Sequence, residues 1–170
     1  MARARQNPTQ KLFVSSFFKK KKTTTAAINN MASVYDSKGE YDIALKWYER
    51  ALEIVEKVLG SNHPDTATTY SNMASVYNSK GKYDLALEWY KRALEIREKN
   101  KQNLASGSSH INVGSDYILL KDYQNAEKHL LIGMKLANTA KSKYFVRRAA
   151  HLLHGLYRME NKPAKALLFL

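Results

Sequence analysis

The pattern of apolar and polar positions between residues 24 and 99 occurs twice, at a spacing of about 42 residues. Residues 24–57 and 66–99 agree at about two thirds of their positions, and the run Asn-Met-Ala-Ser-Val-Tyr at residues 30–35 returns unchanged at residues 72–77. Repetition at a fixed period of this size is typical of solenoids built from supersecondary units. The sequence therefore predicts stacked helical units, each of which buries its apolar face against a neighbour.

Each copy contains two segments with the apolar period of a helix, separated by turn residues. In the first copy, helix A is predicted over residues 24–37 and helix B over residues 41–58. Gly39 closes helix A, because glycine readily adopts the left-handed conformation that follows a helix. Pro64 is predicted to open the next helix A, since proline is tolerated at a first helical position, and His63 is then a turn residue.

Helix A has two different faces. At about 100° per residue, one face of the second helix A is apolar and is expected to pack, whereas the opposite face is polar and is left to contact something else. In helix B, Ala86 is small enough to let two helices approach closely, as is Ala44 in the first copy. The apolar residues are Tyr70, Met73, Ala74 and Tyr77, and the polar residues opposite them are Thr68, Ser71, Asn72, Ser75, Asn78 and Ser79.

These residues resemble the tetratricopeptide repeat, which has its aromatic, alanine and glycine positions in the same order. The period exceeds the usual 34 residues, and the long helix B with the Leu-Gly-x-x-His-Pro-Asp-Thr link at residues 59–66 resembles the kinesin light chain variety. The resemblance implies a right-handed all-α solenoid of antiparallel helix hairpins that binds other proteins. The pattern falls on Ile28, Met31, Ala32, Tyr35, Gly39, Ala44, Tyr48 and Ala51, and again on Tyr70, Met73, Ala74, Tyr77, Gly81, Ala86, Tyr90 and Ala93.

Four repeats and a tail are predicted along the chain. Residues 1–22 are a basic and disordered tail, because they carry no acidic residue and none of the repeat pattern. Residues 23–61 and 62–100 are the two matching repeats. Residues 101–141 are a diverged third repeat, and residues 142–170 are an incomplete fourth.

The third and fourth repeats depart from the pattern. The link at residues 101–109 lacks His-Pro-Asp and is expected to be flexible, and His154 replaces a small residue, which predicts looser packing. Residues 166–170 are apolar and uncapped, which predicts a fragment of a longer protein or an end that docks or self-associates. The predicted packing positions are His110, Val113, Gly114, Tyr117, Ala126, Leu130 and Gly133 in the third repeat, and Ala150, Leu153, His154, Tyr157 and Ala166 in the fourth.

The net charge of +13 belongs to the two ends of the chain. Residues 1–22 carry seven basic and no acidic side chains, residues 23–100 are nearly balanced, and residues 101–170 carry eleven basic and four acidic side chains. Contact with nucleic acid or a membrane is therefore predicted only through the tail. A mitochondrial transit peptide and a nuclear address are alternatives to a plain tail, and the expected location is the cytoplasm.

The sequence lacks the motifs that carry catalytic chemistry. Cysteine is absent, which excludes disulfides, thiolate zinc sites and cysteine nucleophiles. No phosphate-binding loop, nucleophile elbow or zinc-protease motif occurs, and no apolar run approaches the roughly 20 residues that span a bilayer. His151 and His154 are three residues apart, but zinc needs further ligands. We predict no enzyme, catalytic residue, metal, cofactor or small-molecule substrate.

An asparagine recurs at one position of three successive helices A. Its amide offers donors and acceptors, so a row of them can hold an extended peptide backbone, and in repeats resembling these, asparagines at this position contact bound peptide. Recurrence through duplication alone is the alternative. Small serines follow the asparagines, and arginines at the far end predict a preference for acidic residues in the partner. The predicted peptide-binding residues are Asn30, Ser33, Asn72, Ser75, Asn112, Ser115 and Arg148.

The leading prediction is a protein–protein interaction scaffold that holds an extended peptide of a partner in the concave groove lined by helices A. Two alternatives stay open at the level of sequence. In one, the basic tail attaches the protein to an anionic surface or nucleic acid and the repeats are a spacer. In the other, the chain is a module or fragment of a larger regulatory protein or of a motor light chain.

Overall fold

The computed structural model describes the backbone of residues 8–170 and the side chains of residues 23–170. Over these residues the chain consists of helices and turns without strands, which confirms the prediction of an all-α fold of helical hairpins. The helices are α1 (Pro8–Ser37), α2 (Tyr41–Leu59), α3 (Pro64–Ser79), α4 (Tyr83–Lys99), α5 (Asn103–Leu119), α6 (Tyr123–Thr139), α7 (Lys143–Met159) and α8 (Pro163–Leu167).

The chain divides into two compact units, Met1–Thr66 and Ala67–Leu170. In the described part of the first unit, α1 and α2 pack together as one hairpin. Small residues lie in this contact, since Ala32, Ala44 and Ala51 are fully buried. The predicted close approach at Ala44 is therefore present.

The helix α1 begins earlier than the repeat pattern indicates. Helix A was predicted to start at residue 24, after a disordered tail, whereas α1 starts at Pro8. No glycine or internal proline interrupts residues 9–23, and lysine and leucine are good helix formers, so nothing in the local sequence stops the helix. The side chains of residues 1–22 lie outside the described residues.

The second unit contains most of α3 and all of α4–α8, and two of its clusters of apolar side chains join one hairpin to the next. The first cluster joins α3, α4 and α5, and the second joins α5–α8, so each hairpin is packed on the next. The buried members of the first cluster are Ala74, Ala86, Leu87, Tyr90 and Val113. Those of the second are Ile111, Ala126, Leu130, Ala149, Leu153, Leu156, Tyr157 and Ala166.

The turns that follow successive helices share one backbone conformation, with a residue of positive φ. Gly39, Gly60 and Gly81 have positive φ, which costs glycine little. After the helices A, the amide of the third residue beyond the helix donates to the carbonyl five residues back, as in Lys82 N to Tyr77 O at 2.9 Å. The later turns keep this conformation without glycine, with positive φ at Lys101, Lys121, Lys141 and Asn161.

The remaining glycines lie inside helices, and three of them are sites of close packing between α5 and α6. A Cβ on Gly114 would come within 2.7 Å of Leu130 Cγ. One on Gly133 would come within 2.7 Å of Ile111 Cγ1 and 2.9 Å of the Gly107 carbonyl. These distances are far below van der Waals contact, so the hairpin α5–α6 requires glycine where other repeats have alanine.

Three expectations about packing need correction. The segment at residues 101–109 was expected to be a flexible link, but α5 begins at Asn103, since its small residues Ala105, Ser106 and Gly107 permit close helix packing. Met31 was placed on the packing pattern but is 44% exposed, because α1 packs on α2 alone within the first unit. In α7 the buried alanine is Ala149, whereas Ala150 is only half-buried.

Candidate functional site

The second unit brings three helices A together side by side. α3 and α5 are linked by a hydrogen bond between Asn78 and Asp116, and α5 and α7 are in direct contact. The polar sides of these helices carry the predicted binding residues of this unit, which we call the polar face. The polar face is formed by Asn72 and Ser75 on α3, Asn112 and Ser115 on α5, and Arg148 on α7.

The asparagines of the polar face have amides available for a ligand. Asn72 and Asn112 are half-buried, and neither side chain makes a hydrogen bond with another described residue. Asn30 occupies the equivalent position on α1, where it is exposed and likewise makes no such bond. An amide in this state can both donate and accept.

The serines of this pattern have a structural partner in two of three repeats. Ser75 lies close enough to the hydroxyl of Tyr90 in α4 to lower the pKa of that tyrosine, and Ser33, which is exposed on α1, acts in the same way on Tyr48 in α2. Burial is the main cause that raises the pKa of Tyr90 to about 12, with a further contribution from the nearby Asp116. The exposed Ser75 therefore has a polar neighbour within the fold, the hydroxyl of Tyr90.

Ser115 differs from the other two serines. The residue of α6 that matches Tyr90 is Leu130, which is fully buried and offers no hydroxyl. Ser115 is half-buried and, among the described residues, makes no side-chain hydrogen bond. It is therefore the serine of the predicted set whose hydroxyl is open to a ligand within the second unit.

At the boundary of α3 and α5, sequence reasoning placed Asn78 on the polar side of its helix without a role and missed Asp116. Asp116 is 1% exposed, and its Oδ1 accepts a hydrogen bond from Asn78 Nδ2. Its other oxygen, Oδ2, is buried without a hydrogen-bond partner. Burial is the main cause that raises the pKa of Asp116 to about 7, against the lowering effects of Asn78 and Arg148. Alignment of the repeats contained the signal, because the matching residue in the second repeat is the fully buried Val76.

Positive charge lies on and beside the α7 end of the polar face. Arg148 is half-buried and near enough to act on Asp116 and Tyr90 electrostatically. Where α6 meets α7, a depression of about 570 Å³ carries three more cationic side chains. Its lining consists of Asn138, Lys141, Ser142, Lys143, Val146 and Arg147. Arg158, also expected to add positive charge at this end, is exposed on α7.

The histidines lie in separate places. His110 Nδ1 is 3.0 Å from His129 Nδ1, and His110 Nε2 is 3.1 Å from Glu98 Oε1. His154 Nδ1 lies 3.0 Å from the Ala166 carbonyl, where it holds α8 against α7. In the part of the chain that the structure describes, no three ligand side chains are placed to hold a metal ion. The described helices are also too short or too polar to cross a membrane.

Residues 23–99 match the family model of the tetratricopeptide repeat. No curated protein matches the sequence. Among solved structures, the fold is similar to that of BtubC (BKLC) from P. vanneervenii, with a TM-score of 0.76 and 21% identity over 86% of this chain and 60% of that one. It is also similar to the apo form of RapI, with a TM-score of 0.77 and 20% identity over 85% of this chain and 40% of that one.

A Podosopora anserina protein assigned as a kinesin light chain, with nearly identical TPR-like repeats, has a TM-score of 0.74 and 18% identity over 85% of this chain and 70% of that one. This chain therefore spans less than two thirds of BtubC and of RapI. At these identities the likeness is one of fold. The predicted tetratricopeptide repeats are thus confirmed over residues 23–99, and the resemblance to the kinesin light chain variety is confirmed as one of fold.

Proposed function

We propose that this chain is a protein-interaction scaffold that holds an extended peptide segment of a partner against the polar face. The observation that carries the proposal is the state of Asn72 and Asn112, whose amides are half-buried yet make no hydrogen bond with the described residues. Two such amides on adjacent parallel helices offer donors and acceptors to a peptide backbone without reading its side chains. Asn30 and Ser33 hold the equivalent positions on α1, in the first unit.

The charges near α7 support a preference for acidic residues at one end of the peptide. Arg148 lies on the polar face, and Lys141, Lys143 and Arg147 line the depression beside it. Opposite charges across an interface increase the rate of association and fix the orientation of the ligand. We therefore expect the bound peptide to place Asp or Glu over α7, with no need for a free carboxylate.

The proposal is tested by selecting linear peptides of about 12 residues from a random phage-displayed library on the full chain. Binding of the selected peptides is then measured by calorimetry, with micromolar affinity expected. In the double variant Asn72→Ala/Asn112→Ala, affinity should fall by about 5- to 150-fold, since peptide groups lose partners at a cost of about 1 to 3 kcal/mol. Asn103→Ala, at an exposed asparagine in the first turn of α5, is the matched control and should bind like the parent.

Two outcomes would overturn this function. If no linear peptide is selected, or if the double variant binds every selected peptide as tightly as the parent, the polar face is not the binding site. Binding that is lost on removal of residues 1–22, and that falls steeply with salt, would favour attachment through the basic tail. Arg148→Glu should reverse the acidic preference, and unchanged selection would remove that part of the proposal.

The location of the scaffold in the cell and its self-association are part of the same proposal. A cytoplasmic location, with mitochondrial or nuclear targeting as alternatives, is tested by imaging a fluorescent fusion with and without residues 1–22. Leu167, Leu168 and Leu170 are exposed. Self-association through them is tested by sedimentation over a range of concentrations, where a concentration-independent monomer would exclude it. A non-enzymatic role agrees with the scaffold nature of the repeat.

A further inference from the structure

Asn78 and Asp116, which are in contact, both differ from the residues at the matching positions of other repeats. The residues matching Asp116 in the first two repeats are Val34 and Val76, and the residue matching Asn78 in the first repeat is Asp36. Val76 is fully buried, as expected for an apolar helix position. A carboxyl group has therefore taken the place of a valine at a position that remains 99% buried.

This replacement is unfavourable for folding taken alone. Asp116 Oδ2 is buried without a hydrogen-bond partner, and an unsatisfied buried polar atom destabilises a protein. Ser71, on the neighbouring α3, also has a buried hydroxyl oxygen without a partner. Residues that break a local rule of folding without a structural gain occur preferentially at functional sites.

The hydrogen bond fixes the orientation of the Asn78 amide. An ionised carboxylate can only accept, so the group that faces Asp116 must be the amide nitrogen of Asn78. The carbonyl oxygen, Oδ1, of the same amide then points away from Asp116. Asn78 is half-buried on the polar side of α3, three residues from Ser75, so part of this residue is open to a ligand on that side.

Resting on the proposed function, we propose that Asn78 Oδ1 accepts a hydrogen bond from a backbone N–H of the bound peptide, and that Asp116 is the positioning residue that holds the Asn78 amide in this orientation. Asn78 thereby adds a directional acceptor to a polar face whose other amides, on Asn72 and Asn112, are free to turn. A peptide bound in this way must offer an N–H at one defined position along its backbone.

Replacing Asp116 separates this role from a structural one. Asp116→Val restores the residue of the other repeats, so it should raise the denaturation midpoint at pH 8, because a buried and incompletely paired carboxyl group is removed. The same variant should weaken the selected phage-display peptides by about 5-fold or more, as expected for a lost hydrogen bond. Asp116→Asn carries a donor as well as an acceptor, so it no longer fixes the Asn78 amide and should weaken binding to about the level of the parent at pH 6.

A scan of the peptide backbone identifies the N–H that is bound. Each residue of one selected peptide is replaced in turn by its N-methyl form, which removes a single donor. One position should weaken binding to the parent by about 5-fold or more yet have little further effect on Asn78→Ala, since both changes remove the same hydrogen bond. Asn103→Ala is again the matched control and should show the scan pattern of the parent.

The pH dependence gives an independent readout. Asp116 is faced by Asn78 from α3, Tyr90 from α4 and Arg148 from α7, with Arg97 acting on Tyr90. Protonation of Asp116 below about pH 7 gives it a donor, which allows the Asn78 amide to reverse. Peptide binding by the parent should therefore weaken between pH 8 and about pH 6, and Asp116→Asn should lose this part of the dependence.

The outcomes distinguish this inference from the proposed function. Peptides that are selected, depend on Asn72 and Asn112, and bind Asn78→Ala and Asp116→Val like the parent would leave the proposed function standing and overturn the inference. An Asp116→Val protein that is less stable than the parent at pH 8 would show a structural role and would also overturn it. Failure to select any peptide overturns both.

Discussion

The second and third repeats place different residues at matching positions, 40 residues apart, and both lie in one compact unit. In the second repeat, the rings of Tyr70 and Trp89 are 5.3 Å apart. In the third, the same two positions are His110 and His129, with ring centroids 5.0 Å apart. The space is filled in both cases, but the imidazole pair introduces two titratable groups. Packing alone therefore does not decide which ring occupies these positions.

The same comparison shows that glycine has moved within the repeat. The second repeat has alanine at its helix contacts, at Ala74 and Ala93, and glycine in its turn at Gly81. The third has glycine at both contacts, at Gly114 and Gly133, and lysine in the turn. A close helix contact favours glycine because there is no room for a Cβ, and a left-handed turn favours it because of its backbone conformation. The second repeat uses glycine in the turn, whereas the third uses it in the helix contacts.

The largest expected effect tests the helix glycines of the third repeat. Gly133→Ala should destabilise the protein by about 3 kcal/mol, because the new Cβ meets Ile111 and the Gly107 backbone, which cannot move aside easily. Gly155→Ala on α7 is the matched control, since its Cβ would meet nothing within 4 Å. It should leave stability unchanged or raise it by about 0.5 to 1 kcal/mol. Urea denaturation of both variants measures the difference, and equal midpoints would contradict the close contact.

The next effect concerns the alanines that both repeats share in helix B. Ala86→Leu and its match in the third repeat, Ala126→Leu, should each destabilise by about 1 to 3 kcal/mol, because both side chains are fully buried. Ala44→Leu should do the same in the first unit. Exposed Ala27→Leu is the control and should change stability by less than about 0.5 kcal/mol. Unchanged thermal midpoints in the three buried variants would mean that the helix contacts lie elsewhere.

The imidazole pair should make the third repeat sensitive to acid. Burial, followed by the charges of His110, Lys128 and Lys91, lowers the pKa of His129 to about 4. Burial also lowers the pKa of His110, although Glu98 opposes this. The pKa of His129 is therefore lower in the folded protein than the value of about 6.5 in the unfolded chain. The contribution of neutral His129 to stability is fully present above about pH 6.5 and is lost as pH falls through about 4.

The double variant His110→Tyr/His129→Trp copies the second repeat and should remove this loss. The parent should lose about 1 to 2 kcal/mol more stability than the double variant between pH 7 and pH 4, a value reduced from the full shift because His129 is half-exposed. The comparison is made by denaturant titration at each pH. His151→Gln, at an exposed histidine of α7, should behave like the parent. Parallel pH curves for parent and double variant would contradict the role of the pair.

The smallest effect concerns the turns. Lys121→Gly should stabilise the protein by about 0.5 to 1 kcal/mol, because a non-glycine residue at φ 60° is strained and glycine removes that strain, less its own entropy cost. Gly81→Lys makes the reverse change in the second repeat and should destabilise by a similar amount. Thermal denaturation detects both. Two changes of the same sign would show that the two turns are not equivalent.

The repeat pattern predicts most of the fold and part of the candidate site. Repetition identifies the packing positions, and Gly39 and Pro64 mark element ends that the structure reproduces. The start of α1 at Pro8 could not be found in this way, because the pattern begins later than the helix. The segment at residues 101–109 was misjudged because its polar and small residues are typical of a loop, while their burial against α6 depends on tertiary packing.

Recurrence among the repeats singles out only those candidate binding residues on which the repeats agree. Asn72 and Asn112 recur at one position and were found for that reason. Asn78 and Asp116 differ from their matches in the other repeats, so a search for recurrence passes over them. A search for a charged residue where the other copies have valine would have found Asp116. Its partner is set by the contact of α3 with α5, which no local pattern contains.

The bond between Asn78 and Asp116 also fixes the order of the repeats, which bears on how such a chain can be lengthened or rearranged by engineering. A second copy of α3–α4 inserted in place of α5–α6 would set valine against Asn78, because Val76 is the match of Asp116. It would also replace Gly114 and Leu130, which lie in close contact, with Ala74 and Tyr90. The repeats are therefore not interchangeable modules. Each repeat has contact residues that match the residues of its own neighbour.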